Sequence, residues 1–138
     1  MNRILVTVFL LTQFSAVTVA SNKDTTTKTL NGAIFTGVDK EIHYKEKLKI
    51  KDISNDVVTF DLNTEADYAD IGEVCEGEIE DGKGKLVKNQ IVFEGQEGCS
   101  IVMHLSKTRD RVSITDNNCN YYHGANCDFG GKNLKLNR

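Results

Sequence analysis

Residues 73–105 read EVCEGEIEDGKGKLVKNQIVFEGQEGCSIVMHL, and their pattern of alternation and turns decides the fold. From Glu73 to Glu80, Cys75, Gly77 and Ile79 fall on one side and Val74, Glu76 and Glu78 on the other. Successive strand residues point to opposite faces, so this spacing predicts a strand with one wet face. Asp81-Gly82-Lys83-Gly84 predicts a hairpin, because glycine takes positive φ without steric cost. The return strand, Leu86 to Phe93, then offers Val87, Ile91 and Phe93 to one face. Gly95-Gln96-Glu97-Gly98 turns the chain again, and Cys99, Ile101, Met103 and Leu105 share the next inner face while His104 faces out.

The same grammar extends outward. Upstream, Ala33 to Thr36 is a brief apolar run. Lys47 to Lys51 alternates, with Leu48 and Ile50 on one side and lysines on the other. Ser54-Asn55-Asp56 turns into a strand whose Val58, Phe60 and Leu62 share a face. Thr64 to Ile71 lacks helical apolar spacing and reads as a loop or a single turn. Downstream, Lys107 to Asp110 is a charged turn before Val112 and Ile114. Cys119 to Gly131 is irregular and aromatic, and a last strand lies around Leu134 and Leu136. The expectation is an all-β antiparallel barrel or sandwich of about seven or eight short strands, stabilised by disulfides. With no proline in the chain, charge would protect its edges, as the lysines of the early strands suggest.

The first twenty residues read as a signal peptide: a charged start (Met1-Asn2-Arg3), an apolar run from Ile4 to Leu11, and a small-residue site ending at Ala20. The run is shorter than the roughly 20 apolar residues that span a bilayer. The expected mature chain is 21–138, with a flexible arm over 21–31 and a single β domain over 32–138. It carries no membrane anchor after processing and is expected to be monomeric. Export implies a periplasmic or secreted protein. An even set of four cysteines, Cys75, Cys99, Cys119 and Cys127, fits disulfides in such a compartment. Alternation places Cys75 and Cys99 on core-facing sides of one meander. Cys119 and Cys127 flank a glycine-containing turn, so the expected bridges are Cys75–Cys99 and Cys119–Cys127.

The net charge of −3, with acids and bases interspersed, lacks the basic stripe that nucleic acid requires. His43, His104 and His123 are scattered, and neither Asp116-Asn117-Asn118 nor Glu78-Ile79-Glu80-Asp81 has the ligand order of a calcium loop, so no metal or other cofactor is expected. No nucleophile elbow or phosphate-binding glycine loop is present, and no catalytic residue is assigned. The segment Cys119-Asn120-Tyr121-Tyr122-His123-Gly124 concentrates aromatic and imidazole side chains. Tyr121, Tyr122 and His123 are therefore the expected binding residues, on a loop that also has structural work for its rings.

Cys75-Glu76-Gly77 before the glycine-rich turn, Cys99-Ser100-Ile101-Val102, Cys119-x-x-Tyr122-His123-Gly124 and Phe129-Gly130-Gly131 together resemble small bacterial periplasmic proteins. Those proteins are similar to domains attached to lysozyme-inhibitor-like proteins, and the resemblance runs from about Gly32 onward. In several of them a cysteine follows the tyrosine where this chain has His123, and here it comes later, at Cys127. The serine-glycine-tyrosine loop of some lysozyme inhibitors is missing. The expected function is a non-enzymatic binding protein, an inhibitor or immunity protein, and the resemblance implies a cell-wall-degrading enzyme of lysozyme type as its target. A ligand-carrying barrel and a secreted hydrolase are the alternatives. Large inward residues such as Phe60, Ile101 and Met103 favour a filled core over a carrier's cavity.

Overall fold

A computed structural model describes residues 30–40, 43–68 and 72–137. The signal-peptide expectation and residues 21–29 of the arm expected over 21–31 lie outside the described residues. Eight strands follow one another: β1 (Ile34–Asp39), β2 (Tyr44–Ser54), β3 (Val57–Tyr68), β4 (Glu73–Val87), β5 (Gln90–Glu94), β6 (Ser100–Leu105), β7 (Arg111–Asn117) and β8 (Leu134–Asn137). Each pairs antiparallel with its neighbour, and β8 returns to β1, so the sheet closes into a barrel. Closure leaves β2 between β1 and β3. Its lysines therefore shield no edge and lie on the outer face, where Lys51 meets Asp61 at 2.7 Å and Lys45 meets Glu65 at 3.5 Å.

Inward alternation fills the barrel. Phe35, Leu48, Ile50, Phe60, Ile101 and Met103 are all fully buried. Leu30 is buried too, and its carbonyl accepts the Ala33 N–H at 2.9 Å, so the domain takes in the last residues of the expected arm. Asn55 and Asp56, with φ of 51° and 64°, form the tight turn between β2 and β3, as their residue types predict.

Three expectations change. The chain does not turn back at Asp81–Gly84, because β4 runs straight through it. Asp81, at φ 51°, instead marks a bulge: Leu62 pairs with Ile79 and Phe60 with Gly82, which leaves one extra residue on β4. The glycines serve packing here. A Cβ on Gly82 would sit 2.7 Å from Phe60 Cζ, and one on Gly84 would sit 2.6 Å from Ile91 Cγ2. The reversal comes at Lys88-Asn89, with Lys88 at φ 57°. That shift puts Val87 outside rather than beside Ile91 and Phe93. Finally, Thr64 to Tyr68 is strand, paired against Glu73–Gly77. Its alternation is real, but Thr64 and Ala66 are too small or polar to announce a buried face.

Strand lengths divide the barrel. β4 pairs with β3 along nearly its whole length but with β5 only at Lys85–Val87, and β7 pairs with β8 only at Arg111 and Val112. Towards one end, two ladders therefore stop short. The segment between β7 and β8 occupies that end.

Candidate binding surface

The β7–β8 crossover is tied down by both disulfides. Cys99 is bonded to Cys119, with Cα atoms 4.4 Å apart, and Cys75 to Cys127, with Cα atoms 5.5 Å apart. This corrects the expected Cys75–Cys99 and Cys119–Cys127 pairing. Ser100 pairs with Asn117 at the end of the β6–β7 hairpin, so the next residues on each side, Cys99 and Asn118–Cys119, arrive together. That hairpin was legible in the sequence, and its register was the signal that would have found this bridge. Cys75 lies on the stretch of β4 without a β5 partner, so no strand brings Cys99 beside it. The crossover runs along that stretch instead: Asn126 Nδ2 donates to Glu73 Oε2 at 3.4 Å, and Cys127 Sγ lies 3.9 Å from the Glu76 carbonyl.

After Cys119 the crossover makes one helical turn, α1 (Asn120–His123), which stops at Gly124 with φ 74°. The turn sends its three expected binding residues in three directions. Tyr121 is 61% exposed. Tyr122 is half-buried: its hydroxyl accepts the Gln96 N–H at 3.0 Å, and its ring meets Phe93 edge-on at 5.9 Å. A Cβ on Gly95 would lie 2.7 Å from the Tyr122 hydroxyl oxygen, so a glycine there lets the ring dock. His123 is buried. Its Nε2 lies 2.7 Å from Asp116 Oδ2, and its Nδ1 donates to the Gly124 carbonyl at 2.6 Å. Asp116 Oδ2 also accepts the Phe129 N–H at 3.3 Å, and the His123 and Phe129 rings meet edge-on at 5.0 Å. Gly77 makes this possible, since a Cβ there would lie 2.6 Å from His123 Cβ and 3.0 Å from Phe129 Cε1. Only Tyr121 of the three presents its ring to solvent; the other two set the segment's position.

Beneath the crossover lies a polar group that the sequence reading passed over. Glu46 is 2% exposed and Thr64, directly opposite it on β3, is 3% exposed. Glu46 Oε2 accepts the Tyr44 hydroxyl at 2.9 Å, while Glu46 Oε1 and Thr64 Oγ1 are buried without a hydrogen-bond partner among the described residues. A Cβ on Gly131 would fall on Glu46 Oε2. Burial pushes the Glu46 carboxyl up to about 8; the Tyr44 hydrogen bond opposes the shift, and the charges of Asp128 and Asp116 add to it. Burial and the Glu46 charge also raise the Tyr44 phenol. A signal for Glu46 was present: the inward phase of Leu48 and Ile50, continued back two and four residues, reaches Glu46 and Tyr44. The flanking lysines hid it.

A groove of about 680 Å³ crosses β1–β4 and is lined by the outward Lys45, Lys47, Glu76 and Glu78 and also by Glu46, Thr64, Gly77 and Tyr122. Its charges are of both signs. Among the described residues, no group of three or more His, Cys, Asp or Glu side chains is placed to hold a metal ion, and no helix is long and apolar enough to cross a membrane. The paired cysteines suit an oxidising, non-cytoplasmic compartment. No family model, curated protein or solved structure matches the chain.

Proposed function

We propose that this chain is an exported, periplasmic or secreted, non-enzymatic binding protein that presents the Tyr121 face of its crossover to a protein partner. The observation that carries this reading is one exposed aromatic ring on a segment fixed by two disulfides and the His123–Asp116 contact. A surface ordered beforehand loses little entropy on association, and tyrosine offers large contact area with few rotatable bonds. The target class, a cell-wall-degrading enzyme of lysozyme type, rests on the resemblance of the cysteine and Phe129-Gly130-Gly131 segments. A net charge of −3 would speed encounter with a basic enzyme of that kind. The alternatives have less support. Phe60, Ile101 and Met103 occupy the interior a carrier would keep for its ligand, and Glu46 is enclosed where a hydrolase would expose its carboxylates.

The test is inhibition of a lysozyme panel by the oxidised protein and by its Tyr121→Ala variant. At least one panel enzyme should be inhibited. Losing a binding anchor should weaken that inhibition by about 2 kcal/mol, roughly 30-fold, with melting unchanged. A protein that inhibits no enzyme of the panel, or a variant that inhibits as well as the parent, would overturn the reading.

A further inference from the structure

We propose that Glu46 is a proton-held latch for the second leg of the crossover, the stretch from Cys127 to Leu134. In the closed state its carboxyl is enclosed, with Oε2 against Gly131 and Oε1 facing no partner among the described residues. A neutral acid tolerates that position; a carboxylate does not, since a buried charge without a counter-ion is strongly disfavoured. The inference goes beyond the binding reading and does not depend on any partner.

The groups around Glu46 leave little else to neutralise it. From its own strand β2, Tyr44 gives Oε2 a single hydrogen bond, and Lys45 and Lys47 point to the outer face. From β3 comes the neutral Thr64 hydroxyl, and from β1 the opposing residue is Gly37. From β7 comes Asp116, already engaged by His123 of α1 and by the Phe129 N–H. From the crossover comes Asp128, exposed, which with Asp116 makes ionisation harder. Lys132, exposed, lines one surface pocket together with Tyr44 and Asp128. From β8, Leu134 packs against Gly37 and Gly131.

The leg that would move is the one the disulfides leave free. Cys119 and Cys127 are covalently anchored, so α1 stays in place. Beyond Cys127 the leg is held by the Ile114 N–H to the Gly131 carbonyl at 2.7 Å, the Phe129 N–H to Asp116, and the burial of Phe129. Ionised, Glu46 gains by swinging toward water, and Gly131 stands in its path.

Hydrogen exchange, corrected for the intrinsic rate at each pH, tests this on the intact oxidised protein. Protection at Phe129 and Ile114 should fall at least tenfold between about pH 6 and about pH 9.5, centred near the raised Glu46 value of about 8, while amides of β6 stay protected. Glu46→Gln should abolish that fall. Tyr44→Phe, which removes a hydrogen bond that favours the carboxylate, should move it to higher pH and keeps the test open should Glu46→Gln not fold. Protection that is flat with pH in the wild type, a fall that persists in Glu46→Gln, or one that Tyr44→Phe leaves in place would each overturn the latch.

Discussion

The two ends of this barrel are closed by different means. Around Phe60 the closure is ladder and packing: β4 meets β5, Phe60 meets Phe93 edge-on at 5.5 Å, and Gly82 makes room for the Phe60 ring as Gly84 does for Ile91. Around Glu46 the β4–β5 and β7–β8 ladders have ended, and an irregular segment covers the opening with two disulfides, a His–Asp contact and one buried phenylalanine. A strand ladder satisfies backbone groups by repetition, whereas a crossover must be anchored point by point. The anchored end is therefore the one that can carry both an exposed aromatic and a buried acid.

The largest expected effects probe the packed end. Phe60→Ala should cost about 3–5 kcal/mol in denaturant unfolding, because the ring is fully buried and Gly82, beside the bulge, is shaped to it. A cost below about 1 kcal/mol would mean that the ring is not central to that end.

At the covered end, the bridges should rank by the loop each closes. Cys75 and Cys127 are separated by 52 residues and Cys99 and Cys119 by 20. Replacing the first pair with alanines should cost about 4 kcal/mol and the second about 3 kcal/mol by the chain-entropy estimate. The reverse order in thermal or urea unfolding would show that strain or local contacts, not loop closure, dominate there.

Next comes pH. A carboxyl whose folded value lies near 8, against an ordinary 4.5, stabilises the fold most below pH 4.5. Its contribution is lost as pH rises toward 8. Between about pH 4.5 and 7 the loss from this group should be on the order of 3 kcal/mol, and Glu46→Gln should lack it. Equal pH slopes in parent and variant would take the buried acid out of the comparison.

The smallest effects separate the two tyrosines. Tyr122→Ala should cost about 1–2 kcal/mol of stability, since it loses a half-buried ring and the Gln96 hydrogen bond. Tyr121→Ala should stay within about 0.5 kcal/mol of the parent, because its ring makes mainly an edge contact with Tyr122. Equal melting shifts would contradict the division of inward and outward rings.

The strand pattern was largely legible, and so was the location of the aromatic segment. Leu48 and Ile50, Val58 through Leu62, and Ile101 through Leu105 announce their inner faces because period-two alternation is a local property of the backbone. The Asn55-Asp56 turn was legible because both residues tolerate positive φ. Asp81–Gly84 misled for the same reason. Glycine's freedom serves a turn or a close approach equally well, and here Phe60, more than twenty residues earlier in the chain, decided in favour of the approach.

Alternation, residue type and residue count are local facts, and they suffice for an all-β chain with an even set of cysteines and an aromatic, irregular segment after the seventh strand. Which cysteines meet, which tyrosine faces out and the burial of Glu46 emerge only when the barrel closes. Those outcomes depend on where the β4–β5 and β7–β8 ladders stop, and ladder length is set by long-range register that no single stretch of the chain contains.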